Sequence, residues 1–181
     1  MTMQNSIKLC LLLFVLFLFS GCAQYIITQE LDQPISHNSP CSIGPITDEL
    51  PEDFSEEDKP TMEAIDDLKD QLIQCLNKEE IFLGIRRELY EAHYEVTGSI
   101  LDYKKGSGFL RFMFGFIGSA KITIELRLVD LSSNDVIFSG NFKAAVTSGY
   151  ASGDEMYKKV ARDFAKALKK GLKKLDKERN G

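Results

Sequence analysis

The sequence predicts an α+β domain: one mostly antiparallel sheet of about five strands, with two helices packed on one face. Two segments carry apolar residues three or four positions apart, which is the spacing of an amphipathic helix. Five other segments are short and apolar or alternate apolar with polar residues, as half-buried strands do. Four of these five lie between the helical segments, so the predicted element order is β-α-β-β-β-β-α.

The first half of this domain is predicted to contain a strand, an acidic loop and a helix. Residues 41–46 form a short strand that Pro45 interrupts. The acidic residues 48–60 form an exposed loop, and the helix begins after Thr61, a candidate N-cap, and ends near Asn77. The apolar stripe of this helix consists of Ile65, Leu68, Leu72 and Leu76.

Four strands are predicted to follow the first helix. Residues 81–85 are a short apolar run, and residues 94–100 and 122–128 alternate apolar with polar side chains. The polar residues 132–135 then form a turn, which leads into a strand over residues 136–144. The last two strands are therefore expected to form an antiparallel hairpin.

A second helix ends the predicted domain. Ser152 and Glu155 fit a capping box, in which each side chain accepts a backbone N–H of the other residue. The stripe that follows consists of Met156, Val160, Phe164, Leu168, Leu172 and Leu175. Lysines occupy the remaining surface and suit the negative end of the helix dipole.

Residues 1–21 are typical of a secretory signal. Lys8 precedes an apolar run over residues 9–19, and the small residues Ser20 and Gly21 follow. At about 1.5 Å per residue, the run covers only about half of a ~30 Å hydrocarbon core. A membrane-spanning anchor is therefore the weaker interpretation.

The stretch Leu18-Phe19-Ser20-Gly21-Cys22 resembles the lipobox of bacterial lipoproteins, although the usual leucine position holds Phe19. The resemblance implies cleavage between Gly21 and Cys22 and acylation of Cys22, and two or more acyl chains anchor a protein stably. Ala23 follows the cysteine, which in enteric-type envelopes favours the periplasmic face of the outer membrane. The alternative is plain secretion with a free Cys22 thiol.

The mature chain fits one domain, residues 41–178, on a flexible tether, residues 22–40. Residues 22–100 contain 5 basic and 18 acidic residues, a net charge of −13. Residues 101–181 contain 16 basic and 9 acidic residues, a net charge of +7, so the two halves should attract each other. Because an exported protein rarely meets nucleic acid, we interpret the basic half as a solvated helix face.

Two of the four cysteines remain in the folded domain, since Cys10 leaves with the signal and Cys22 carries lipid. Cys41 and Cys75 either form a disulfide, which the compartment permits, or Cys75 is a small buried residue on a helix. Their spacing from His37 and His93 matches no zinc motif. We expect neither a metal nor a cofactor.

An unusually apolar segment, residues 106–120, separates two predicted strands. Its large apolar residues are Phe109, Leu110, Phe112, Met113, Phe114, Phe116 and Ile117. Because loops are normally polar, these side chains must be buried somewhere. The segment closes the end of the sheet, binds a protein partner, or enters the lipid surface beside the anchor. We treat it as a candidate interaction segment.

Several motifs resemble one known family. They are Tyr94-Glu95-Val96-Thr97-Gly98, Lys105-Gly106-Ser107-Gly108, Arg111-Phe112, Gly115-Phe116-Ile117-Gly118-Ser119-Ala120-Lys121 and Leu128-Val129-Asp130. Over residues 41–172 this pattern is similar to the bacterial envelope family catalogued as domain of unknown function 4410. The family usually has glycine in the hairpin turn, where Asn134 tolerates the same left-handed conformation. Members are often lipoproteins without an established activity, so the resemblance implies fold and location but no catalytic residue.

The sequence therefore predicts a non-enzymatic envelope lipoprotein that binds an envelope protein through the apolar segment or a sheet edge. One alternative is a hydrolase of cell-wall or lipid material. Its candidate groups, which no spacing connects, are His93, Asp102, Ser107 and Asp130. Another alternative is an oligomeric pore or scaffold subunit, and the sequence leaves the oligomeric state open.

Overall fold

A computed structural model describes residues 25–36, 38–87, 91–106, 119–146 and 153–181. Within these ranges the chain forms six strands and two long helices. They are β1 (Tyr25–Gln29), β2 (Pro40–Asp48), α1 (Met62–Glu79), β3 (Gly84–Arg86), β4 (Tyr94–Lys104), β5 (Ala120–Asp130), β6 (Asp135–Val146) and α2 (Gly153–Arg179). A short 3-10 turn, Glu56–Asp58, lies in the acidic loop before α1.

The strands form a single mixed sheet in the order β1-β6-β5-β4-β2-β3. The predicted hairpin of β5 and β6 is confirmed, and β4 and β1 join it antiparallel on either side. However, β2 runs parallel to both β3 and β4. The prediction of about five mostly antiparallel strands is therefore only roughly right. Parallel pairing follows from the crossover through α1, which returns the chain to the end of the sheet where β2 began.

The predicted tether is wrong for residues 25–35, which belong to the fold. β1 pairs with β6, with Tyr25 opposite Phe142. Leu31 and Ile35, only 6% and 4% exposed, lie in the hydrophobic core. β1 is short, and its three apolar residues, Tyr25, Ile26 and Ile27, are consecutive, so its sequence does not alternate apolar with polar residues.

The core lies between the helices and one face of the sheet. The predicted apolar stripes are confirmed, because α1 buries Leu68, Leu72 and Leu76 and α2 buries Met156, Val160, Phe164, Leu168 and Leu172. At the centre, the ring of Phe164 lies 5.9 Å from that of Phe138 and 5.4 Å from that of Phe142. The opposite face of the sheet is polar, as alternation predicts for an antiparallel sheet with one solvated face.

The bounds of β3 and β2 differ from the prediction. β3 begins at Gly84, because Ile81 and Phe82 are buried in the bend that precedes it. β2 continues past Pro45 to Asp48, and its pairing with β4 is irregular between Ile43 and Ile46. A proline without an N–H is accommodated at such an irregularity.

Of the two alternatives left open for these cysteines, the structure has free thiols at both Cys41 and Cys75. Cys41 is fully buried on β2. Cys75 lies on the side of α1 that faces α2, close enough to Arg162 and Lys158 to be affected by their charges. Burial raises the pKa of Cys41 to about 12, so this thiol is protonated and unreactive.

The backbone signals at α1 and at the hairpin are confirmed. The Thr61 hydroxyl accepts a hydrogen bond from the Ala64 N–H, so Thr61 caps α1. The helix continues two residues beyond Asn77 and ends at Glu80, which is left-handed with φ 54°. Asn134 is also left-handed, with φ 62°, as the turn requires. Ser152 of the predicted capping box lies outside the described residues.

We expect Glu80→Gly to raise the free energy of unfolding by about 0.5–1 kcal/mol, because glycine adopts the left-handed conformation without a Cβ clash. Chemical denaturation measures the change. The control is Lys78→Gly inside α1, which should instead lower stability by about 1 kcal/mol. Equal losses in both variants would contradict this account of the helix end.

Candidate functional site

The two main features predicted from the sequence lie outside the described residues. They are the acylation site Cys22, with its cleavage site after Gly21, and the side chains of residues 107–118 in the candidate interaction segment. The described strands nevertheless show at which end of the sheet each of these two segments is connected. β4 ends at Lys104, which pairs with Lys121 beside the start of β5. β1 is antiparallel to β6 and therefore begins toward this same end of the sheet.

A polar cleft of about 580 Å³ lies at the opposite end of the sheet, where β2 and β4 begin and β5 ends. Its lining residues are Ser36, Ser39, Ala92, His93, Tyr94, Asp130, Leu131 and Ser132. His93 Nδ1 lies 2.9 Å from the Ser39 hydroxyl oxygen. Backbone bonds hold this pair in place, because the His93 N–H donates to the Pro40 carbonyl and the Leu131 N–H donates to the His93 carbonyl.

The cleft brings a base within hydrogen-bonding distance of a serine. It lacks two further requirements of a nucleophilic site, which are an accessible nucleophile and a third group that orients the base. Ser39 is only 5% exposed, so a substrate has little access to its oxygen. Asp130 is held in a turn, where one carboxylate oxygen accepts from the Ser132 N–H at 2.8 Å and from the Ser132 hydroxyl at 2.6 Å. These bonds, with a smaller effect of His93, lower the pKa of Asp130.

The candidate hydrolase residues are therefore only partly brought together. Asp130 and His93 share the cleft, whereas Asp102 lies near the other end of the sheet and forms an ion pair with Lys121 at 2.7 Å. Ser107 lies outside the described residues. Sequence reasoning missed Ser39, because it falls in the predicted tether and no motif surrounds it.

The lowered pKa of Asp130 gives a pH-dependent prediction. A carboxyl group with a native pKa below its unfolded value of about 3.9 contributes stability above that pH and loses it as the pH falls further. Asp130→Asn should therefore be less stable than wild type at neutral pH, and the difference should shrink below about pH 4. Urea denaturation across this range measures it. Asp102→Asn is the control, expected to change stability by less than about 1 kcal/mol; a pH-independent loss in Asp130→Asn would contradict the assignment.

A second, mostly apolar pocket of about 230 Å³ lies at the β1 edge of the sheet. Its apolar lining residues are Tyr25, Ile27, Leu31, Phe138, Ala167 and Gly171, and its charged residues are Glu30, Lys170 and Lys174. Because β1 is an edge strand of the sheet, the space between it and α2 is open at that edge. Gly171 keeps that space open, and a Cβ there would lie 3.6 Å from the Leu31 Cβ.

Charge at this β1-edge pocket is predominantly positive. Lys174 forms an ion pair with Glu30, and this bond lowers the pKa of Glu30. Lys170 lies close enough to Glu30 to add to the same effect. The pocket thus combines an apolar floor with a basic rim. Sequence reasoning missed it because β1 was not predicted.

Neither site contains a cluster suited to a metal. Across the described ranges, no three histidine, cysteine, aspartate or glutamate residues are grouped so that they could hold an ion. A separate finding concerns the membrane: neither described helix has a stretch apolar and long enough to cross a bilayer.

Together the fold and the sites define a class of protein: an α+β domain with a mixed sheet backed by two helices, a side pocket and a polar end cleft. The chain belongs to the domain of unknown function 4410 family, whose model matches residues 31–177. This match confirms the family suggested by the sequence motifs. No protein with a curated description matches the chain.

Solved structures of PelC from Paraburkholderia phytofirmans, described as dodecamers, share the fold. A single-site variant of PelC aligns with a TM-score of 0.60 and 13% identity, covering 82% of this chain and 98% of PelC. A second PelC structure has a TM-score of 0.60 and 12% identity, covering 80% and 98%. A putative lipoprotein from Caulobacter crescentus has a TM-score of 0.38 and 13% identity, covering 70% and 90%.

Proposed function

We propose that this protein is a lipoprotein of the bacterial envelope, anchored through Cys22 at the periplasmic face of the outer membrane, and that it is a non-enzymatic interaction module. The β1-edge pocket carries the proposal. It offers an apolar floor with charged groups at its rim, which is the usual composition of a binding pocket. The polar cleft, by contrast, holds its serine almost fully buried.

The topology supports an orientation for the anchored domain. Cys22 precedes Tyr25, the first residue of β1, by three residues, and three residues span at most about 11 Å. β1 starts toward the end of the sheet where β4 leaves and β5 enters. An anchor at Cys22 therefore turns that end toward the membrane and leaves the polar cleft at the far end.

Site-specific photo-crosslinking in intact envelopes tests this function. Photoreactive residues at Ile27 and Lys170 report on the pocket, and one at Phe112 reports on the candidate interaction segment. The control position is Lys143, exposed on β6. We expect a defined protein adduct at the pocket positions and none at Lys143. Adducts at the pocket no more frequent than at the control would contradict the proposal.

A hydrolase is the second candidate, because His93 Nδ1 lies 2.9 Å from the Ser39 hydroxyl. A fluorophosphonate probe, which labels activated serines, separates the two functions. We expect no labelling of the full-length protein, since Ser39 is buried. Labelling that disappears in both Ser39→Ala and His93→Ala, while the variants remain folded, would establish the hydrolase instead.

An oligomeric scaffold subunit is compatible with the interaction module and has one observation in its favour. PelC, which shares the fold at a TM-score of 0.60, is described as a dodecamer. This likeness supports the idea that several copies of a domain with this fold can assemble. At a sequence identity of 12–13%, no residue of the PelC contacts is transferred to this chain.

A further inference from the structure

We propose that the β1-edge pocket binds Leu83 of a second copy of this chain, so that copies associate head to tail. The inference rests on the proposed function, because it names the partner of the interaction module. It follows from two features at opposite edges of one sheet: an apolar pocket at β1 and an exposed leucine beside β3.

Leu83 is unusual for an apolar residue in this fold. It is 71% exposed, whereas the residues before it, Ile81 and Phe82, are 1% and 6% exposed. Its position is fixed, since its N–H donates to the Ser39 carbonyl at 3.2 Å and β3 begins at the next residue. The side chain is therefore held outward at the edge of the sheet.

The β1-edge pocket suits such a side chain. Its floor is formed by aliphatic and aromatic groups, among them Ile27, Leu31 and Phe138, and its volume of about 230 Å³ has room for a branched aliphatic side chain. Burial there would remove an exposed leucine from water, which is the main driving force of association.

Leu83 cannot reach the pocket of its own chain. β1 and β3 are the two edges of a six-stranded sheet, and five spacings of about 4.8 Å separate them by roughly 24 Å. A contact between two different surfaces of identical chains is head to tail, and it produces rings or filaments. Among the described strands, each edge also has one side without a strand partner, so backbone groups are available to extend the contact.

The helices beside the two features carry opposite net charges: α1, which precedes Leu83, contains 5 acidic and 2 basic residues, and α2, which lines the pocket, contains 10 basic and 5 acidic residues. Lys170 and Lys174 lie at the rim of the pocket. Glu80, exposed at the end of α1, precedes Leu83 by three residues, and the exposed Arg86 follows it by three. In the head-to-tail arrangement, the Glu80 carboxylate of one copy approaches the pocket lysines of the next. Such complementarity fixes the register of an interface more than it adds affinity.

Crosslinking of two variants that each carry one accessible cysteine tests the arrangement, because the remaining free thiol, Cys41, is fully buried. The mature acylated protein in detergent carries Cys75→Ser to remove the half-buried thiol, together with either Lys170→Cys or Gly84→Cys, which leaves Leu83 in place and meets no neighbouring atom within 4 Å. A short bis-maleimide should link the two variants when they are mixed and should link neither variant to itself. Self-linking of Gly84→Cys would show a symmetric contact and overturn the proposal, as would the absence of mixed adducts.

Sedimentation of the same detergent-solubilised protein gives an independent measurement. Leu83→Asp should weaken self-association by about 10- to 100-fold, whereas Met62→Asp, at another highly exposed apolar residue, should leave it unchanged. A monomer in sedimentation, with pocket crosslinks to a different envelope protein or to lipid, would overturn self-association. If the crosslinked partner is a different protein, the proposed interaction module still stands. If no protein is crosslinked at the pocket, self-association and the interaction module are both overturned.

Discussion

Replacing Phe164 with alanine is expected to lower the free energy of unfolding by about 3–5 kcal/mol. Phe164 is fully buried on α2, and its ring contacts Phe138 and Phe142 on β6. Truncation removes both ring contacts and leaves a cavity between helix and sheet, which the packed neighbours fill only in part. Urea or guanidinium denaturation, followed by circular dichroism, measures the loss.

The matched control for Phe164→Ala is Met62→Ala, because Met62 is 76% exposed at the start of α1. We expect this change to alter stability by less than about 0.5 kcal/mol. A loss below about 1 kcal/mol in Phe164→Ala would mean that α2 does not pack on β6 through this cluster of rings.

Gly98→Ala is expected to lower stability by about 1–3 kcal/mol, although it adds only one methyl group. A Cβ at Gly98 would lie 2.9 Å from the backbone oxygen of Glu125 and 2.9 Å from a methyl group of Leu126 on the neighbouring strand. The backbone of β5 cannot move without disturbing its ladders to β4 and β6. The same denaturation experiment measures the effect.

Gly84→Ala is the control for Gly98→Ala, since a Cβ at Gly84 would meet nothing within 4 Å. It should change stability by less than about 0.5 kcal/mol. Equal effects of the two substitutions would show that intrinsic strand preference, rather than the close approach of β5, determines the cost at Gly98.

The sequence predicted those parts of the fold that follow from strong periodicity. α1, α2 and the β5–β6 hairpin have long apolar patterns and clear turn or capping residues, and all three are confirmed. The left-handed Asn134 followed from its position in a polar turn. These signals are local, so a single sequence contains them.

Other parts of the fold depend on contacts between distant segments. β1 is a five-residue edge strand in which the exposed Ile26 and the half-buried Ile27 are both apolar, so its sequence does not show the alternation that its burial has. The parallel pairing of β2 depends on where α1 returns the chain, which periodicity does not report. The β1-edge pocket and the Ser39–His93 pair arise only when these segments meet, so neither could be predicted.

Acylation of Cys22 is the central claim, since the location in the envelope and the orientation of the sheet both depend on it. Mass spectrometry of the N-terminal peptide from protein purified out of envelopes tests it directly. The account predicts a peptide that begins at Cys22 and carries acyl groups on the thiol, lost together with membrane association in Cys22→Ala. An unmodified Cys22, or a peptide that begins elsewhere, would contradict the account.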